Sequence, residues 1–311
     1  MKKLKFLLSL TNNDNDYQLE QAAAAEEAAK RLGVDVQIIH ADNDAITQSQ
    51  QLLKIIQSRS APHPDAIIFE PVGGTALAQV ARAAAAAGIA WVILNRDADY
   101  LPELRQGFRV PAFAVTSDHE EIGRIQGRQF AALLPQGGSV LYIQGPSESP
   151  AAKQRTAGMY ETKPIDVQVK LMKAQWTEES SYRIVSSWLR LSTAQQTPVD
   201  VIAAQDDSMA MGARKAFHEQ HDTAARDRWL SLPFLGCDGL PNSGQAWVRK
   251  GLLRATVYVP PNAGTAVEML AHAIQSGSMP PVQTLTTPVS FPAIEELATA
   301  QGKKALSAGS E

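Results

Sequence analysis

A chain of 311 residues is longer than a single hydrophobic core usually grows, about 250 to 300 residues, and fits two α/β lobes. Its 44% hydrophobic and 20% charged residues are ordinary for globular proteins and speak against disorder or a fibrous chain. The net charge of -3 comes with dispersed Lys and Arg, so no basic stripe is offered to nucleic-acid phosphates. Cys237, the one cysteine, cannot form an internal disulfide or a multi-cysteine zinc site.

Met1-Lys2-Lys3-Leu4 imitates the start of a signal peptide, but the apolar run ends by Leu10 and polar Asn12-Asn13-Asp14-Asn15-Asp16 follows. The chain as written is expected to carry no export signal. It has no apolar run of about 18 residues, so membrane insertion is not expected.

Lys5 to Leu10 reads as a first strand, and a helix runs from about Tyr17 to Arg31 and stops at Gly33. The pattern repeats: strand Val34 to Ile39, helix Ile46 to Gln57, strand Ala66 to Phe69, helix Thr75 to Ala87, strand Trp91 to Leu94. A second series opens near Phe113 with Ala114-Val115-Thr116 and helix Glu120 to Leu134. It continues as strand Ser139 to Ile143, helix Ala151 to Tyr160, strand Val167 to Met172, helix Ser180 to Leu191, strand Val199 to Ala204, helix Met209 to Gln220 and strand Pro233 to Leu235. Strand Ala255 to Val259, helix Ala263 to Ser276 and a last strand near Pro288-Val289-Ser290 complete it. Residues 97 to 113 and 220 to 232 read as irregular, the latter as a solvated loop.

Alternating strands and helices of this length predict α/β architecture with parallel, right-handed doubly wound sheets. The late pieces close both lobes if they are shared, so the expected organisation is two such lobes joined by three hinge strands. The N-terminal lobe is 1–113 plus 260–289 and the C-terminal lobe 114–259 plus 290–311.

Few motifs carry covalent chemistry. Gly73-Gly74-Thr75 could cradle an anion at a helix start, but a tight turn capped by Thr75 is the simpler reading. Neither dinucleotide nor P-loop glycine patterns follow a strand, and no G-x-S-x-G elbow occurs. His218 and His221 stand three apart without a nearby acidic or cysteine partner, so no metal site and no cofactor are expected.

The informative positions are strand ends, where open α/β sheets bind small molecules. Val199 to Ala204 runs into Gln205-Asp206-Asp207-Ser208, and Leu232 to Gly236 into Cys237-Asp238-Gly239. Such carboxylates suit a glycosidase-like acid and base pair, or acceptors for the vicinal hydroxyls of a bound sugar, which is the simpler use. Leu94-Asn95-Arg96-Asp97 sets a guanidinium fork at another strand end, with surface pairing to Asp97 as its plainer role. Arg155 lies at a helix start, where a structural salt bridge is the usual reason for it. Tyr17 and Trp176 could cover a pyranose face or fill core.

Together these segments resemble the periplasmic sugar-binding proteins of the ribose-binding type and the effector domains of lactose-repressor-type regulators. The similarity runs along nearly the whole chain. It is carried by Ala204-Gln205-Asp206-Asp207-Ser208-Met209-Ala210-Met211-Gly212-Ala213, Leu235-Gly236-Cys237-Asp238-Gly239 and Leu94-Asn95-Arg96-Asp97, with Thr116-Ser117-Asp118, Gly123 and Gly127 at the lobe crossing. The resemblance implies reversible capture of a monosaccharide or polyol between two lobes that close by hinge bending. It puts Arg96, Arg155, Asp206 and Asp238 on the sugar hydroxyls, Asn13 beside them, and Tyr17 and Trp176 on the ring faces.

Four positions depart from the family pattern. Asn95 stands for the usual acidic residue before the arginine, Asp206 for the usual asparagine, Asp16 for one of two first-loop aromatics and Val259 for a polar hinge residue. The expected partners are a small carbohydrate and an ABC transporter membrane subunit or a sensor, with no nucleic acid. The location is periplasmic if a signal was removed and cytoplasmic if Met1 is the native start. A cytosolic sugar sensor without a DNA-binding part is the alternative, and an enzyme acting on a carbohydrate or nucleoside through Asp206 and Asp238 is the rival from another class.

Overall fold

The computed structural model describes residues 3–13, 16–60, 62–72, 77–96 and 98–299. Gly73-Gly74-Thr75 and Asp97 lie outside the described residues. The chain divides into two compact units, Met1–Ser117 with Pro260–Thr286, and Asp118–Val259 with Thr287–Glu311, so it passes between them three times.

In the first unit the elements are β1 (Lys5–Leu10), α1 (Asp16–Leu32), β2 (Asp35–His40), α2 (Ala45–Ile56), β3 (Ala66–Phe69), α3 (Ala78–Ala86), β4 (Ala90–Leu94), α4 (Leu101–Phe108) and β5 (Ala112–Ser117). The second unit contributes α5 (His119–Leu133), β6 (Gly138–Gln144), α6 (Pro150–Thr162), β7 (Val167–Lys173), α7 (Glu178–Leu189), β8 (Val201–Ala204), α8 (Asp207–His218), α9 (Thr223–Leu230), β9 (Phe234–Leu235), α10 (Gly244–Arg249) and β10 (Thr256–Tyr258). The chain then adds α11 (Asn262–Ser276) and β11 (Gln283–Thr286) to the first unit and β12 (Val289–Phe291) to the second.

The first sheet has the order β11-β5-β4-β3-β1-β2, with every pairing parallel. Its central strands β3 and β4 are buried on both faces, which is why they read as unbroken apolar runs. Alternation still sorts their neighbours: Phe6, Leu8 and Leu10 pack with α1 and α11, whereas Leu7 joins Ile67, Trp91 and Leu52 on the opposite face. Asp44 caps α2 by accepting from the Ile46 and Thr47 amides. Gly33 at φ 68° follows the end of α1, in the left-handed conformation that glycine adopts at no steric cost.

The second unit holds a parallel sheet of order β7-β6-β8-β9 and a separate antiparallel pair, β10 with β12. Leu141 and Ile143 face one core, with Trp188, Phe217 and Trp229, while Val140 and Tyr142 face another, with Phe130 and Met159. Between α5 and α6 the approach is very close. A Cβ at Gly123 would sit 2.0 Å from the Arg155 carbonyl oxygen, and one at Gly158 would sit 2.0 Å from that of Glu120. These glycines let α6 lie against α5 and so fix the backbone that carries Arg155.

Several elements differ from expectation. The strand expected to open the second lobe is β5, which pairs with β4 and β11 and therefore belongs to the first unit. The division falls at Ser117/Asp118 rather than 113/114, and the last crossing at Thr286/Thr287 rather than 289/290. The stretch 220–232 is no solvated loop throughout: α9 forms there because Trp229 is buried, stacked on Phe217 at 4.9 Å and edge-on to Trp188 at 5.6 Å. α4 occupies part of 97–113, anchored by buried Leu101 and Leu104.

Candidate ligand-binding site

Both parallel sheets reverse direction of growth, the first between β1 and β3 and the second between β6 and β8. The strand ends at such a switch point diverge their following loops and leave a crevice at the carboxyl edge. Each predicted site residue stands at or near that edge of its own sheet.

In the first unit Asn13 is exposed in the β1–α1 loop, Asp16 is the exposed first residue of α1, and Tyr17 is half-buried beside it. The Tyr17 hydroxyl donates to the Pro260 carbonyl at 3.3 Å, tying α1 to the chain as it re-enters this unit. Arg96 follows β4 and is half-buried; its Nη1 is buried with no hydrogen-bond partner. Burial pulls its pKa below the usual value, partly offset by the charge of Glu70.

Glu70, which sequence reasoning did not single out, follows β3 at the switch point. Its Oε2 accepts from Gln18 Nε2 at 2.8 Å and its Oε1 from Asn95 Nδ2 at 3.1 Å. Burial raises its pKa, and those two hydrogen bonds with the Arg96 charge oppose the rise. A negative charge thus acts on Arg96 from just past the neighbouring strand, while position 95 itself is an amide. Asn95 itself is held in the left-handed region at φ 57° with its amide committed to Glu70.

In the second unit Arg155, Trp176, Asp206 and Asp238 come together. Arg155 is 7% exposed; its Nη1 donates to the Gln205 carbonyl, and its Nε is buried without a hydrogen-bond partner. Burial disfavours its charge, but Cys237, Asp238 and Asp206 around it more than compensate and hold the guanidinium ionised. The same guanidinium stands 5.5 Å from the centroid of the Trp176 ring. Trp176, at φ 60°, reaches this place because residue 145 is glycine: a Cβ there would lie 2.2 Å from the indole.

Asp206 caps α8, accepting from the Met209 amide at 2.5 Å, and is buried; desolvation raises its pKa to about 6. The next residue, Asp207, has a different task. Its carboxylate accepts from Thr256 Oγ1 and from the Gly239 amide, both at 2.7 Å, and fits between Gly236 and Gly244, where a Cβ would approach it to 2.0 Å. Asp207 therefore braces the β9–α10 loop, which carries Asp238. Asp238 is half-buried at φ 100°, its amide donating to Val257 and its carbonyl accepting from Val259, each at 2.9 Å.

Gln205, also missed, orients Arg155. Its Nε2 reaches Ala152 O, Thr156 Oγ1 and Tyr142 Oη at 2.9 to 3.2 Å, and its Oε1 accepts from the Gly145 amide at 2.9 Å. The result is a fixed fork with a free buried donor, two carboxylates and an aromatic ring, a set suited to a polyhydroxylated molecule. Among the described residues no cluster of three His, Cys, Asp or Glu side chains could hold a metal ion.

Residues 6–278 match the family model of the periplasmic binding protein domain. The chain belongs to that family of periplasmic binding proteins. It is 33% identical over 201 residues to a Rhizobium meliloti protein named for rhizopine binding, a match covering 61% of this chain and 60% of that relative. The D-allose-binding periplasmic protein of Escherichia coli is 26% identical over 283 residues, covering 89% of this chain and 87% of that one. Among solved structures, a periplasmic solute-binding protein from Actinobacillus succinogenes with bound D-allose superposes with a TM-score of 0.77 at 21% identity, over 96% of this chain and all of that one. That likeness establishes the shared fold. In this periplasmic binding protein the carboxylate whose charge acts on the strand-end arginine is Glu70, just past β3.

Proposed function

We propose that this periplasmic binding protein captures a monosaccharide or polyol at its arginine-bearing strand ends and responds by bending at the three connections. The observation that carries this reading is Arg155: a buried guanidinium with one free donor, flanked by Asp206, Asp238 and an aromatic ring. Hydroxyls are the groups that can accept from the fork and donate to the carboxylates at once. The D-allose named for one relative and one structural neighbour fits this chemistry. The partner that reads the closed state is an ABC transporter membrane subunit or a sensor, and the setting is the periplasm.

A thermal-shift screen over pentoses, hexoses and polyols tests the proposal, because a ligand at 100 times its dissociation constant adds about 2.7 kcal/mol of stability. No shift with any of them would overturn it. The raised pKa of Asp206 is what a general acid would also need. Mass spectrometry of the same mixtures separates the two readings: unchanged sugar supports capture, and a new product supports catalysis.

A further inference from the structure

Asn262, the first residue of α11, is fully buried, and its side-chain amide is divided among three partners. Its Oδ1 accepts from Thr286 Oγ1 at 2.8 Å, and its Nδ2 donates to Asn95 Oδ1 and, at 3.4 Å, to Ser117 Oγ. Ser117 and Thr286 are the last residues of the first unit at two of the crossings, and Asn262 stands two residues past Pro260, where the chain returns at the third. One buried amide therefore touches or belongs to all three segments by which the chain enters or leaves this unit.

The arm to Asn95 leads to the strand ends. Asn95 shares Oδ1 with Asn262 and donates its Nδ2 to Glu70, and the next residue in the chain is Arg96. The arrangement is a linked set, Glu70–Asn95–Asn262 with branches to Ser117 and Thr286, in which every hydrogen bond lies inside the first unit. A buried amide with fully used donors and acceptors has little freedom to relax one bond without straining another.

We propose that Asn262 is a positioning residue that makes the Arg96 strand end and the three connections a single cooperative unit. Displacement of Asn95 by a molecule held on Arg96 is then transmitted to all three connections at once. This rests on the proposed capture of a ligand at Arg96. A buried asparagine that only satisfied its neighbours would stabilise the fold without linking these positions.

The test uses hydrogen exchange on the full chain without sugar, so it stands apart from the carbohydrate screen: a chain that bound no sugar could still show the linkage. The Asn95 amide, which donates to the Val115 carbonyl at 3.0 Å, is the reporter. Thr286→Val removes one arm of Asn262 and should speed exchange at Asn95 about fivefold, the factor that one buried hydrogen bond is worth. In an Asn262→Ala background the same Thr286→Val change should leave Asn95 unaltered. An equal effect of Thr286→Val in both backgrounds would mean that the coupling runs through the sheet, and an effect confined to β11 would mean that there is none; either overturns the proposal. If Asn262→Ala fails to fold, Asn262→Ser serves as the background: no effect of Thr286→Val on Asn95 there supports the hub, and the same acceleration as in the wild type overturns it.

Discussion

The Arg155 guanidinium stands 5.5 Å from the centroid of the Trp176 ring while its Nη1 is spent on the Gln205 carbonyl. The ring and the carbonyl together fix the fork, so the buried Nε points in a defined direction without a protein acceptor.

That arrangement depends on space at residue 145. Gly145→Ala would put a methyl 2.2 Å from the indole and must displace Trp176. The expected cost is about 1 to 3 kcal/mol, with a change in tryptophan emission and weaker sugar-induced thermal shifts. Unaltered emission and unaltered stability in a urea titration would show that the ring is not held there.

Asp238 is held at φ 100°, where a residue with a Cβ is strained. Asp238→Gly removes the carboxylate and the strain together, whereas Asp238→Ala removes the carboxylate alone. Glycine at this position should be the more stable of the two by about 1 kcal/mol, and both should lose sugar binding. Calorimetry that returned wild-type affinity for either variant would remove Asp238 from the site.

Asp206 gives a pH dependence of defined sign. Its ordinary pKa is 3.8 and burial lifts it to about 6, so between those values the folded chain holds more protons than the unfolded one. Stability attributable to this group therefore falls as pH rises from about 4 to about 6 and levels off above. Asp206→Asn keeps a helix-capping side chain and should flatten that part of the fall, by an amount on the order of 1 to 3 kcal/mol. Urea midpoints at about pH 4.5 and pH 7 measure it; an unchanged difference between the two would contradict the assignment. A further decline above about pH 6 should persist in the variant but end at a lower pH than in the wild type, because burial is the main cause of the raised Asp207 pKa and the Asp206 charge, absent from the variant, adds to it.

Glu70→Ala would leave the Gln18 and Asn95 amides without their acceptor, at a cost of about 1 to 3 kcal/mol. Glu70→Gln keeps an oxygen for one of them and should cost less, while still removing the charge that faces Arg96. The denaturation order wild type, Gln, Ala checks this; Gln equal to Ala would mean that the charge, not the acceptor, is what stabilises.

Strands were legible where burial on both faces left unbroken apolar runs, as at Ala66 to Phe69, and helix ends where glycine follows, as at Gly33. The ownership of β5 was not, because its apolar run records burial and not which sheet it joins; the pairing with β11, some 170 residues on, decides that. α9 was hidden because one buried indole, Trp229, anchors an otherwise charged segment. Of the proposed site residues, Arg96, Asp206 and Asp238 stand out in the sequence because each follows a strand in a recognisable stretch, and Arg155 because it lies near a helix start. Glu70 was invisible because Phe69-Glu70-Pro71 has no pattern of its own, and its meaning comes only from Asn95 and Arg96 on the adjacent strand. Nor was the bracing role of Asp207 legible, because it depends on Thr256 and Gly239, which only the fold brings to it.

The place of Glu70, just past β3 and beside Asn95, means that the field around the Arg96 guanidinium is set by two loops at once. A change in either loop therefore alters how tightly that guanidinium's positive charge is balanced, even where Arg96 itself is untouched.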